Sequence, residues 1–191
     1  MFSQLMADET HYVALATLET GLPEIRRAPI DHGTLELIVR RPGEGRREVI
    51  TEAQLDVADG LIGDAWKARG STRTADGSAH PGLQLTLMNS RVIRLLAADP
   101  ERWTLAGDQL FVDLDLSVMN LPPGTRLAVG EALIEVSSIP HTGCKKFLAR
   151  YGPDALKFVN SPLGRELNLR GINAKIVGSG GIRTGDAIRK V

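Results

Sequence analysis

The chemistry this chain can offer centres on one sulfur. Cys144 is its single cysteine, set in the run Ile139-Pro140-His141-Thr142-Gly143-Cys144-Lys145-Lys146-Phe147. A lone thiol forms no internal disulfide and no multi-thiolate cage. Its candidate roles are nucleophile, sulfur carrier or single ligand to a metal. Pro140 and Gly143 mark a loop, and Lys145 to Tyr151 reads as a short helix. Thr142 is placed to cap that helix, which would set the sulfur beside free backbone N–H groups and two lysines, both favouring thiolate. The competing reading is a small packed hydrophobe, since free cysteine is among the most buried residue types. His141 lies three residues earlier. A Cys–His pair suits nucleophilic catalysis, but spacing alone does not bring imidazole to sulfur, and no orienting carboxylate is close in sequence. A structural hydrogen-bonding role for His141 therefore stands beside the catalytic one. The Thr142 hydroxyl has the same two options, helix cap or ligand contact.

The elements that must position these residues are mostly short strands. Strand character is read at Tyr12 to Leu18, Thr34 to Arg40, Arg46 to Thr51, Leu83 to Met88 and Gln109 to Asp113. It recurs at Leu127 to Val129, Ala132 to Ser137, Ala174 to Val177 and Ala187 to Val191. Gly, Pro, Asn and Asp signals separate these runs at short intervals, the pattern of a sandwich or barrel. Gly63-Asp64, Gly107-Asp108 and Gly185-Asp186 predict tight turns. Two helical regions interrupt the strands. Asn89 or Ser90 caps Arg91 to Ala98, with Val92, Ile93, Leu95 and Leu96 on one face. The second region, Lys145 to Tyr151, halts at Gly152 and resumes from Pro153 to about Val159, with Phe147, Leu148, Tyr151, Leu156 and Val159 facing inward. Ala68 to His80 is polar and rich in small residues, an exposed loop near a site. Gly178-Ser179-Gly180-Gly181 lacks the Lys-Ser/Thr ending of a phosphate loop and reads as a hairpin or bulge. The expectation is one domain over residues 1–191.

Composition removes several function classes. The 191 residues carry 23 Lys plus Arg against 23 Asp plus Glu, so no global charge drives binding to nucleic acid or a membrane. Aromatic residues make up 4%, too few for a base-stacking platform. One Cys and four scattered His do not show the spacing of structural zinc. Met1 to Glu9 lacks a secretory pattern, no run is apolar enough to span a bilayer, and the expected location is cytoplasmic.

Several motifs together resemble the MOSC domain family, named for the carboxy-terminal domain of molybdenum cofactor sulfurase. Pro140 to Phe147, followed by Arg150-Tyr151-Gly152, is similar to the family's cysteine motif and the helix behind it. Asn168-Leu169-Arg170-Gly171-Ile172-Asn173-Ala174 and Gly180-Gly181-Ile182-Arg183-Thr184-Gly185-Asp186 resemble its later segments. Gly60 to Asp64, Gln84 to Met88, Asp113 to Ser117, Asn120-Leu121-Pro122 and Gly124 to Leu127 continue the likeness. It covers about Gly60 to Val191, and residues 1–59 match more loosely.

The resemblance implies a mainly β, β-barrel-based fold with a few peripheral α-helices, in a stand-alone bacterial-type member. It implies molybdenum cofactor binding or sulfur handling, with pyridoxal phosphate binding known at the family level only. In related reductases such as the mitochondrial amidoxime-reducing component, the motif cysteine ligates molybdenum, a role that falls here on Cys144. Arg170 and Lys145 would serve the cofactor's phosphate or pterin, with His141, Thr142 and Arg69 as further binding residues. Arg69 and Arg73, on the polar loop, would close over an anionic ligand. Solvated surface charge is the alternative for all these cations and for Lys146. Three readings follow: a cofactor-dependent reductase of N-hydroxylated or N-oxygenated compounds, a persulfide carrier, and a non-catalytic cofactor-binding module. The first two need a small-molecule substrate or acceptor and a separate electron-donor or sulfur-donor protein, with neither nucleic acid nor membrane as partner. Gln109 stands where many relatives have Asn, and it is assigned no role.

Overall fold

A computed structural model describes residues 12–191. The alternation read at Thr34 to Arg40 is realised as β1 (Gly33–Arg40), with Leu35, Ile38 and Val39 buried. Then come β2 (Glu48–Ile50), β3 (Glu52–Asp56), β4 (Gly60–Leu61), β5 (Leu85–Asn89) and β6 (Leu110–Asp113). The later strands are β7 (Arg126–Val129), β8 (Ala132–Val136), β9 (Ile172–Gly178), β10 (Gly180–Arg183) and β11 (Ala187–Lys190). Seven of them close a barrel in the order β1-β6-β5-β9-β8-β7-β11 and back to β1. All neighbours are antiparallel except β5 and β6, which run parallel. Closure removes the open edges that a flat sheet would present. A smaller sheet, β10-β3-β4, packs beside the barrel.

The strands feed two cores. Leu35, Leu87, Leu110, Ile134, Ala174 and Ile188 belong to the first, where alternate residues line the barrel interior. Val39, Met88 and Phe111 point the other way into a second core, shared with helices. Those helices are α1 (Leu15–Thr20), α2 (Leu22–Ile25), α3 (Trp66–Arg69), α4 (Ser90–Leu96), α5 (Lys145–Asn160) and α6 (Pro162–Glu166). Tyr12 to Leu18 is therefore not a strand. It enters α1, whose Leu18 is buried in the helical core, and tertiary packing overrides the β-leaning composition. The sequence reading also lacked β3, β4 and β10. The Asn89 side chain accepts from Arg91 N and caps α4, as expected. Helix α5 kinks at Gly152, where φ is +85° and ψ 173°, so the halt and restart are both real. Phe147, Tyr151 and Val159 are buried, Leu156 is half-buried, and Leu148 faces solvent, against expectation.

Candidate functional site

Cys144 occupies the N-cap position of α5, and its carbonyl accepts from Leu148 N at 2.9 Å. The cap is Cys144 itself and not Thr142, because helical geometry begins at Lys145; no side-chain cap bond is made. The loop ahead of it is pinned from behind. Asn160, at the far end of α5, accepts from Gly143 N at 2.9 Å and donates to Gly143 O at 3.2 Å. That clamp holds the turn against α5 and leaves Cys144 exposed, which removes the packed-hydrophobe reading.

Cys144 opens on a cleft of about 900 Å³ with Lys146, Phe147 and Arg150 of α5 on one wall. Arg41, Glu44, Arg47, Arg69 and Gly107 line the rest. Arg41 is nearly buried and already paired: Nε and Nη2 donate to Asp64 at 2.9 and 3.1 Å, and Nη1 donates to Gly107 O at 2.8 Å. Glu44 reaches Lys146 at 3.5 Å on the open rim, where such a pair contributes little. Among the described residues, Arg47, Arg69 and Arg150 have no carboxylate partner. Arg47 and Arg150 converge: a methyl built on Gly107 would lie 3.8 Å from Arg47 Nη2 and 3.8 Å from Arg150 Nη1. Burial, then the nearby Arg150 and Arg41 charges, lower the Arg47 pKa from its ordinary value. Partial burial and then Arg41 do the same at Arg69. Arg47 Nε is buried with no hydrogen-bond partner. Like charges gathered without counter-ions form a place where an anion is favoured.

The other sequence-predicted residues lie apart from this cleft. Arg170 is buried beneath it. Its Nη1 donates to Asp108 at 2.6 Å, its Nη2 donates to Ala106 O at 2.9 Å, and its guanidinium sits 5.0 Å from the Phe147 ring. Those bonds make it a support for the start of α5, with no face turned to the cleft. Lys145 is exposed and outside the cleft lining. Arg73 lies on the exposed loop, also outside the lining. His141 and Thr142 line a different cavity, on the other side of the Gly143 turn. His141 Nδ1 lies 3.5 Å from Asp108 Oδ1. Burial first, and then the Arg170 charge, lower its pKa to about 4, with Asp108 opposing. His141 thus sits beside Asp108 and lines a cavity whose lining does not include Cys144.

Sequence reasoning missed Arg41, Arg47 and Arg150 as cleft residues, Asp64 as the partner of Arg41, and Asp108 as the partner of Arg170. Two Gly-Asp turns were the available signal. Gly63 has φ +84° and delivers Asp64 to Arg41; Gly107 has φ +87° and delivers Asp108 to Arg170. Gln109 is also placed: its Oε1 accepts from Thr86 N and Oγ1, and its Nε2 donates to Gln84 O, tying β5 to β6. Among the described residues no three His, Cys, Asp or Glu side chains gather. Cys144 therefore offers a metal one protein ligand and no cage.

No family model matches the chain, and no curated protein matches it. Solved structures do. The YuaD protein of Bacillus subtilis superposes with a TM-score of 0.61 at 15% identity, over 82% of this chain and 94% of that one. YiiM of Escherichia coli gives 0.54 at 20% identity, over 83% and 69%. YiiM of Geobacillus stearothermophilus gives 0.55 at 16%, over 83% and 75%. YuaD and YiiM are MOSC-domain proteins, and the fold of this chain is MOSC-like. Among the described residues no helix is long and apolar enough to cross a membrane.

Proposed function

We propose that the Cys144 cleft binds the molybdenum cofactor, with Cys144 as the protein's ligand to molybdenum. One observation carries this reading: an exposed sulfur shares a cleft with three guanidinium groups that have no carboxylate partner. The donor set fits the group. A thiolate is soft and anionic and suits an oxidised transition metal. Arg47 and Arg150 each give Nη1 to a backbone carbonyl, of Arg46 at 2.8 Å and of Leu105 at 2.6 Å, and with Arg69 keep further N–H donors for a phosphate. Arg41 is less free, because Asp64 and Gly107 hold it, and it shapes the wall.

When bound, the cofactor supplies two-electron redox chemistry. The reaction we propose is reduction of an N-hydroxylated compound, which would take up two electrons and two protons and yield an amine and water. The electrons come from a separate donor protein. Cys144 would hold the metal, and the arginines would hold the anionic end. The Asn160 clamp on Gly143 fixes where the sulfur sits.

The test is metal analysis of protein produced in a cofactor-competent host. Molybdenum should be stoichiometric, absent in Cys144→Ala, and sharply reduced in Arg47→Ala/Arg150→Ala. Protein free of molybdenum under those conditions overturns the reading. The exposure of Cys144 also favours persulfide transfer as a second reading. Mass spectrometry after incubation with a cysteine desulfurase and cysteine decides it: a reducible one-sulfur adduct on Cys144, undiminished by the arginine substitutions, would favour the carrier.

A further inference from the structure

The cavity behind the Gly143 turn is separate from the cleft and has a different character. It encloses about 390 Å³, within the range of small-molecule pockets. Val118, Leu121, Val136, Ile139, Val159 and Ile172 supply apolar wall. Met119, next to Val118, is 85% exposed. Two side chains in the lining are ionisable. Arg165 is exposed at the rim and donates its Nε to Asn160 O; the other is His141. The one permanent charge in the lining is the exposed Arg165 guanidinium, set against that apolar wall.

His141 gives this cavity its polar handle. Its Nδ1 is buried and faces Asp108 Oδ1 at 3.5 Å; both atoms lack a hydrogen-bond partner. The opposite ring nitrogen, Nε2, is not among the buried unpartnered atoms and makes no hydrogen bond within the described residues, so it is accessible, and His141 lines this cavity. The depressed pKa keeps the imidazole neutral near pH 7. A proton on Nδ1, the nitrogen beside the carboxylate, leaves Nε2 as an acceptor.

We infer that this cavity is a second ligand site, suited to a small, largely apolar molecule that donates an N–H or O–H to His141 Nε2. The inference is independent of the cofactor reading, because Cys144 and the arginine cluster line another cavity. Asp108 is a positioning residue here: it sets which imidazole nitrogen carries the proton, and Arg170 anchors it in turn.

Indole and 1-methylindole make the test, as two-ring probes of which the second carries a methyl in place of the N–H donor; the His141→Phe comparison separates the lost donor from the added bulk. Titration into protein with labelled methyl groups should shift Val118, Leu121, Ile139 and Ile172. The methyl compound should bind roughly tenfold more weakly, the scale of one lost hydrogen bond to a neutral acceptor. In His141→Phe the two probes should bind alike. Val118→Trp, a change at an exposed rim position, should block both without altering the fold by circular dichroism. Cys144→Ala should bind indole as the parent does, whether or not molybdenum is ever found. Equal affinity of the two probes for the parent protein, or shifts scattered away from the cavity, would overturn the proposal.

Discussion

His141 illustrates how one residue's surroundings outweigh its place in a motif. Three positions from Cys144 in sequence, it faces Asp108 and the Arg170 guanidinium in space. Its pKa falls from an ordinary 6.5 to about 4, so the folded protein resists a proton that the unfolded chain accepts. Stability from this group is complete above pH 6.5 and is lost as pH falls towards 4. The size is on the order of 3 kcal/mol. Denaturant midpoints measured across that window should drop in the parent protein and drop less in His141→Gln. Parallel curves would show that the imidazole does not sense this environment. At this scale the sequence was half legible. The loop ahead of α5 was legible from Pro140 and Gly143, whereas the local residues allow both an exposed and a packed Cys144, and the fold decides for exposure. The partner of Arg170 was not legible, because Asp108 lies 62 positions away and a local run of residues cannot reveal a contact made by barrel closure.

Elements place these residues through a few exact turns. Gly171 follows Arg170 and opens β9, with φ +104°. A Cβ there would lie 2.1 Å from Leu87 O, a backbone atom of β5 that cannot swing aside. Gly171→Ala is therefore expected to destabilise by more than about 3 kcal/mol, combining a strained dihedral with a steric conflict. Chemical denaturation checks this, and a loss under about 1 kcal/mol would mean that β5 and β9 can move apart. Strands with strong alternation, such as β1 and β8, were plain in the sequence because one face is fully buried. Strands β3, β4 and β10 were not. Residues such as Glu52, Gln54, Gly60 and Gly180 carry little β signal; β10 pairs with β3 from more than a hundred residues away, as in Gly180 with Leu55, and β4 is only two residues long, paired to β3 nearby. The kink in α5 was legible from Gly152-Pro153 alone, and it is what lets one continuous segment present Cys144 at its start and the Asn160 clamp at its end.

For the whole molecule, the balance of charge conceals a polarised arrangement. The chain is formally neutral with a calculated isoelectric point near 6.9, so no long-range field draws anions to it. Most ion pairs sit on the surface, as with Arg40–Glu48, Arg94–Glu36 and Lys175–Glu135. In the cleft beside Cys144, Arg47, Arg69 and Arg150 gather with no carboxylate partner among the described residues. An anion entering there should stabilise the fold by mass action, since it binds only the folded state. Inorganic pyrophosphate is the simplest probe. At a hundredfold excess over its Kd the gain is about 2.7 kcal/mol, a rise in melting temperature of roughly 5–10 °C for a chain of this length. Because the field is local and partly open, about 1 M sodium chloride should remove most of the rise, the Debye length there being about 3 Å. Arg47→Ala/Arg69→Ala/Arg150→Ala should melt at a temperature that pyrophosphate no longer changes, while Cys144→Ala keeps the full response. An unchanged rise in the triple variant would place the anion elsewhere and separate the sulfur from the charges that are argued to serve it.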